Sequence, residues 1–117
     1  FRSISNKEDM IKTAKKILNM GPKNVLLKSG HLKNKMIFDV LATKKGIKIF
    51  KKRKIKTKNT HGTGCTLASS IACGLAQGMT VKIAVARAHG YVHEAIRTAP
   101  GLGQGHGPLN HGHTFPA

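Results

Sequence analysis

Met10, Ile11, Ala14, Ile17 and Leu18 recur at steps of three and four, the spacing that lines apolar side chains along one face of a helix. Ser5-Asn6-Lys7-Glu8 precedes them as a capping box, in which the Ser5 hydroxyl and the Glu8 carboxylate answer the unpaired amides of a helix start. Gly21-Pro22 stops the helix. Val25-Leu26-Leu27 is a short apolar run without alternation and predicts a strand buried on both faces. The polar turn Lys28-Ser29-Gly30-His31 ends it. Residues 35–41 and 47–50 read as two further strands joined by Ala42-Thr43-Lys44-Lys45-Gly46, with Lys45-Gly46 supplying the positive φ of a hairpin turn.

Beyond that hairpin the period returns to that of a helix. Thr63 or Gly64 opens one with Leu67, Ala68, Ile71, Ala72 and Leu75 on one face, closed near Gly78. Thr80 caps another, which carries Val81, Val85, Ala88, Val92 and Ala95 and ends at Pro100. Residues 100–117 are rich in Gly and His without a period, and read as a loop or lid. The order is helix, buried strand, hairpin, Gly-rich turn and two helices, which is an α/β pattern within one domain spanning 1–117. A strand buried on both faces needs neighbours that this chain supplies only in part, so the pattern predicts a portion of something larger. Open sheet edges also favour association, including with a second copy of the chain.

Composition changes this picture in two places. A formal charge of +17 on 117 residues, with Lys51-Lys52-Arg53-Lys54-Ile55-Lys56-Thr57-Lys58 as its densest run, suits an anionic partner. That run holds no aromatic residue on which a base of a nucleic acid would stack. Attraction of a nucleotide phosphate and a plain solvated, lysine-rich surface are the milder readings, and charge alone does not decide among them. Cys65 and Cys73 lie eight residues apart on one predicted helix, about 12 Å along its axis, which is too far for a disulfide. Free thiols suit a reducing cytosol. No stretch approaches the roughly 20 apolar residues that span a bilayer.

The chemistry concentrates at Gly62-Thr63-Gly64-Cys65. Glycines without a Cβ let the backbone approach a ligand, and a helix start offers free amides with roughly half a positive charge. Together they hold a phosphate or a developing oxyanion. Cys65 stands in the same first turn, where helix starts stabilise a thiolate able to take a proton from a substrate hydroxyl. The alternative is an ordinary loop beside a small apolar cysteine. The P-loop pattern GxxxxGK[ST] is absent.

Asn59-Thr60-His61-Gly62-Thr63-Gly64-Cys65-Thr66-Leu67, with Val25-Leu26-Leu27-Lys28-Ser29-Gly30-His31-Leu32 upstream and Gly105-His106-Gly107-Pro108-Leu109-Asn110-His111 downstream, resembles the hydroxymethylpyrimidine/phosphomethylpyrimidine kinases of thiamine biosynthesis. The resemblance spans nearly the whole chain but only the C-terminal part of that family, somewhat less than half. It implies the C-terminal part of a ribokinase-like three-layer sandwich, and phosphorylation of hydroxymethylpyrimidine and its monophosphate with ATP and Mg2+. It further implies an anion hole at Gly62, Thr63 and Gly64, Cys65 as base, and Lys28 reaching the phosphates. Gly30, His31, Thr60 and His61 flank the nucleotide in the same reading. Lys28 also has a reading of its own, as a cation just past the carboxyl end of a strand, where α/β ligands bind. Ser29 stands where the family has Gly, and the half of the family that holds the pyrimidine pocket is missing. Pyridoxal kinase chemistry and a non-catalytic anion-binding remnant are the alternatives. His106, His111 and His113 lack the spacing of a zinc site, while His89 and His93 read as surface or helix-packing residues. Tyr91 has no role in this reading.

Overall fold

The computed structural model describes residues 6–29 and 36–114. They form two compact units, residues 1–54 and 55–117, and each is described by itself.

In the first unit, α1 (Lys7–Leu18) precedes β1 (Asn24–Leu27), β2 (Met36–Thr43) and β3 (Gly46–Arg53), joined in one antiparallel sheet of order β1-β2-β3. The helix start differs from the capping box by one residue. Asn6 is the cap, its side-chain oxygen accepting from the Asp9 amide at 2.8 Å, because an amide side chain in extended backbone reaches the third helical N–H. Ser5 lies outside the described residues. Met10 and Ala14 are buried with Val40 and Ala42 of β2, and Val25, Leu27, Ile47 and Ile49 pack around them. Period-2 alternation selects this set: Val40 faces Ile49 and Ala42 faces Ile47 across the ladder.

Two expectations change here. β1 is half-buried rather than buried on both faces, because it is an edge: β2 pairs one side, and no strand pairs the other among the described residues. The hairpin strands are longer than predicted and take in Ala42, Thr43 and the cations Lys51, Lys52 and Arg53. The lysines remain in strand because their backbones pair with Phe38 and Ile37 of β2. Lys51, opposite Phe38, places its ammonium 5.8 Å from that ring centroid, and Lys7 reaches the same ring at 5.8 Å. The turn places its positive φ on Gly46 (129°), and neither Lys44 nor Lys45 takes one, since L side chains resist that region.

The second unit holds α2 (Thr63–Ala76), α3 (Val81–Arg97) and the tail. Thr80 caps α3 as expected, its hydroxyl accepting from the Ile83 amide. The helices meet where Gly74 faces Ala84: a Cβ built on Gly74 would lie 2.9 Å from the Ala84 Cβ. Leu67 and Gly74 are buried and Ile71 is half-buried, but Ala68, Ala72 and Leu75 of the predicted apolar face are exposed. α2 packs along its Leu67–Gly74 line, and the adjoining stripe meets no partner among the described residues. On α3 the buried face is Ala84, Val85, Ala88, Val92 and Ala95 together with His89, which is a packing residue.

Candidate anion-binding site at the start of helix α2

Residues 58–65 build the site. Gly62 is the N-cap of α2 at φ 85°, ψ 9°, left-handed backbone that glycine enters without a Cβ penalty. No side chain caps this helix, and its first turn contains no acidic residue. The Thr63 hydroxyl and amide both donate backward to the Thr60 carbonyl, at 2.6 and 3.3 Å. The Thr66 hydroxyl and amide donate to the Gly62 carbonyl, at 2.7 and 2.9 Å. These bonds fix the turn while leaving the Gly64 and Cys65 amides without a backbone acceptor among the described residues. Gly64 and Cys65 are exposed. Two free donors, the helix dipole and the absence of a competing carboxylate make this end attractive to an anion.

The tail is fastened to this turn. The His61 amide donates to the Gly107 carbonyl at 3.2 Å, and His61 pairs with Pro108 in a parallel bridge. The Lys58 ammonium reaches the Gln104 carbonyl at 3.4 Å, and His106 Nδ1 lies 3.1 Å from the Lys58 carbonyl. Gly107 is buried so closely that an added Cβ would lie 2.3 Å from Asn59 Oδ1 and 3.0 Å from the Leu102 carbonyl. Farther along, Asn110 donates from its backbone to the Ala95 carbonyl and from its side chain to the Thr98 hydroxyl. Leu109 is buried. Residues 104–110 are therefore a fixed wall beside the glycine turn, and the contact between Asn59 and Gly107 is one that sequence reasoning missed. Its only signal was a glycine inside Gly105-His106-Gly107-Pro108, which here serves close approach. Tyr91, left without a role by the sequence, packs against His113 with ring centroids 4.6 Å apart. Its hydroxyl donates to the His111 carbonyl at 3.4 Å.

Thr60, His61, Gly62, Thr63, Gly64 and Cys65 are thus gathered in one turn of the second unit. Lys28 belongs to the first, exposed at the end of β1. Ser29 fixes the chain just after it: its hydroxyl accepts from the Phe38 amide at 2.8 Å, and its own amide donates to the buried Asp39 carboxylate at 3.2 Å. The serine in place of glycine therefore has a hydrogen-bonding role. Gly30 and His31 lie outside the described residues. No group of three or more His, Cys, Asp or Glu is gathered as a metal site among the described residues, and no helix among them is long and apolar enough to cross a membrane.

Comparison with known proteins gives the family and the fold. The phosphomethylpyrimidine kinase family matches residues 2–110. The chain is 48% identical over 109 residues to the thiamine biosynthesis bifunctional protein ThiED of Geobacter sulfurreducens, covering 93% of this chain and 22% of that protein. It is 41% identical to the hydroxymethylpyrimidine/phosphomethylpyrimidine kinase of Rhizobium meliloti, covering 97% of this chain and 44% of that one. Among solved structures, an ADP complex of Bacillus subtilis pyridoxal kinase superposes with a TM-score of 0.89 at 33% identity, over 96% of this chain and 44% of the other. Staphylococcus aureus pyridoxal kinase in complex with AMP-PCP gives a TM-score of 0.90 at 28% identity, over 97% and 42%. The fold is α/β and ribokinase-like. The chain spans less than half the length of these relatives.

Proposed function

The chain belongs to the phosphomethylpyrimidine kinase family, and from that premise we propose that it is the phosphate-binding, phosphoryl-transferring part of an ATP-dependent kinase for hydroxymethylpyrimidine and its monophosphate, working in a reducing cytosol. The observation that carries this reading is the start of α2, with left-handed Gly62, no capping side chain, no acid and free amides at Gly64 and Cys65. Phosphoryl transfer asks a protein mainly for positioning and charge neutralisation, and these groups supply both.

The Gly64 and Cys65 amides and the end of the helix dipole bear the negative charge of the transferred phosphoryl group. Cys65 accepts the proton of the substrate hydroxymethyl group as its oxygen forms a bond to the γ-phosphorus and the bond to ADP breaks. The family resemblance also assigns Lys28, of the first unit, to the phosphates, and Thr60 and His61 flank them. Mg2+, when bound, would neutralise charge on the nucleotide phosphates.

The test is ATP-dependent phosphorylation of hydroxymethylpyrimidine monophosphate by the purified protein, with Cys65→Ala beside it. Loss of a general base is expected to lower turnover by roughly 10²–10⁴-fold while ATP binding persists. A folded protein that binds ATP but transfers nothing in either form would reduce the site to an anion cradle. A second reading, pyridoxal phosphorylation, is favoured by the 33% identity and TM-score of 0.89 to Bacillus subtilis pyridoxal kinase. The same assay run with pyridoxal decides between the two acceptors.

A further inference from the structure

The first unit carries most of the charge: residues 1–54 hold 16 Lys or Arg against 3 Asp or Glu, which is +13 of the +17. The fold sorts that charge by position. Helix α1 ends at Leu18, and the connection 19–23 leads to Asn24, which lies opposite Thr43 at the turn of the β2–β3 hairpin. The last turn of α1, the connection and the hairpin turn therefore share one pole of the unit. Lys15 and Lys16 stand there from the helix, Lys23 from the connection, and Lys44 and Lys45 from the hairpin turn, all exposed. None of the five makes an ion pair among the described residues. No acid shares the pole: Glu8 and Asp9 lie in the first turn of α1, and Asp39 is buried within β2, taking the Ser29 amide. The negative end of the helix dipole accounts for Lys15 and Lys16 but not for the other three. Met20 belongs to the same pole and is 71% exposed. Its turn is fixed, since the Met20 amide donates to the Ile17 carbonyl at 2.9 Å and the Gly21 amide to the Leu18 carbonyl at 3.2 Å. The hairpin turn is fixed likewise, the Thr43 hydroxyl accepting from the Lys45 amide at 3.2 Å.

We propose that this pole docks on an anionic membrane surface, with the five lysines against lipid phosphates and Met20 entering the interfacial layer. A flat, negatively charged partner suits cations gathered at one end of a unit without a carboxylate among them. A nucleic acid would use the lysines alone. It offers the exposed methionine nothing, and no aromatic residue stands at this pole to stack on a base. Helix α1 does not itself insert, because its apolar face is turned to the sheet through Met10 and Ala14. Association through a few lysines and one apolar side chain is reversible and weakens with salt. The surface stands whether or not the kinase reading holds.

Co-sedimentation with phosphatidylcholine vesicles containing about one-third phosphatidylglycerol tests this, with pure phosphatidylcholine vesicles and a short DNA duplex beside them. The protein is expected to bind the anionic vesicles, not the neutral ones, and to leave them as salt rises. Lys44→Gln combined with Lys45→Gln is expected to lower partitioning roughly ten- to thirtyfold, at about fivefold per lysine near an anionic surface. Met20→Ser lowers it roughly three- to tenfold, part of the gain from removing that side chain from water. Lys56→Gln combined with Lys82→Gln, at exposed lysines of the second unit, makes the same change in net charge and leaves partitioning within about twofold. No binding to the anionic vesicles, an equal fall in that control pair, or partitioning unmoved by Met20→Ser would overturn the assignment. Tighter binding to the duplex than to the vesicles, unaffected by Met20→Ser, would overturn it in favour of a nucleic acid.

Discussion

Helix α1 begins with a side chain folded back onto its own amide, whereas α2 begins with nothing but backbone. At α1, Asn6 satisfies the Asp9 amide and the first turn adds Glu8 and Asp9 against the positive end of the dipole. At α2 the cap is Gly62 in left-handed backbone, no side chain answers an amide, and no acid lies in the turn. One helix satisfies a terminal donor with its own side chain, and the other leaves two of them open. The difference teaches that a candidate binding site of this kind is made by omission. What marks it is a missing cap, a missing carboxylate and a missing Cβ.

The contrast breaks most sharply if α2 is made to begin as α1 does. Gly64→Asp places a carboxylate in the first turn. It is expected to stabilise the helix by about 0.3–1 kcal/mol through the dipole while lowering phosphoryl transfer roughly a hundredfold, the scale for loss of an oxyanion donor. Thermal melting and a phosphoryl-transfer assay on the same variant read the two opposite signs, and unchanged transfer would mean that the anion is held elsewhere. A smaller effect comes from opening the starts that are closed. Asn6→Ala and Thr80→Ala should each cost about 1 kcal/mol, seen as a lower denaturant midpoint, with ATP affinity intact. Weakened ATP binding in Thr80→Ala would blur the division between caps that stabilise and a start that binds.

The smallest effect lies at the other end of α3. The exposed Glu94 carboxyl is held below its ordinary value of 4.5 by a hydrogen bond from Arg97, with the Arg97 charge acting in the same direction. Any stability it adds is present above that ordinary value and is lost as pH falls through the lowered one. Solvent screening makes the pair weak, so Glu94→Gln should melt indistinguishably from the wild type near about pH 7 and equally so near about pH 3. A clear loss confined to the higher pH would show that helix-end charge matters here beyond the first turn of α2.

Much of this was legible in the chain. The Thr80 cap, the opening of α2 at Thr63, the apolar face of α3 and the glycine at the hairpin turn follow from local rules acting on local residues. What escaped was set by distance. Lys51 and Arg53 read as the start of a basic run beyond the strand, yet they are strand because Phe38 and Met36 lie opposite them across the ladder. Ala68, Ala72 and Leu75 read as core, yet apolar periodicity names a face and not what covers it. Within the site, the turn announced itself through Gly62, Gly64 and Cys65. The wall beside it did not, because nothing local to Gly107 says that it will meet Asn59, 48 positions earlier.

The bridge between His61 and Pro108 also decides where the polypeptide can be cut. A shorter version trimmed at the end of α3 would look natural on a diagram of helices and strands. It would leave the His61 amide and the Lys58 ammonium facing water, and the chain entering the glycine turn would lose the strand-like neighbour that holds it. The useful boundary falls no earlier than His113, since Asn110 ties the segment back to Thr98 and Ala95 and Tyr91 meets His111 and His113. Anyone transplanting the turn to another scaffold would have to carry two separate pieces of sequence, 58–66 and 102–110, and keep glycine at 107.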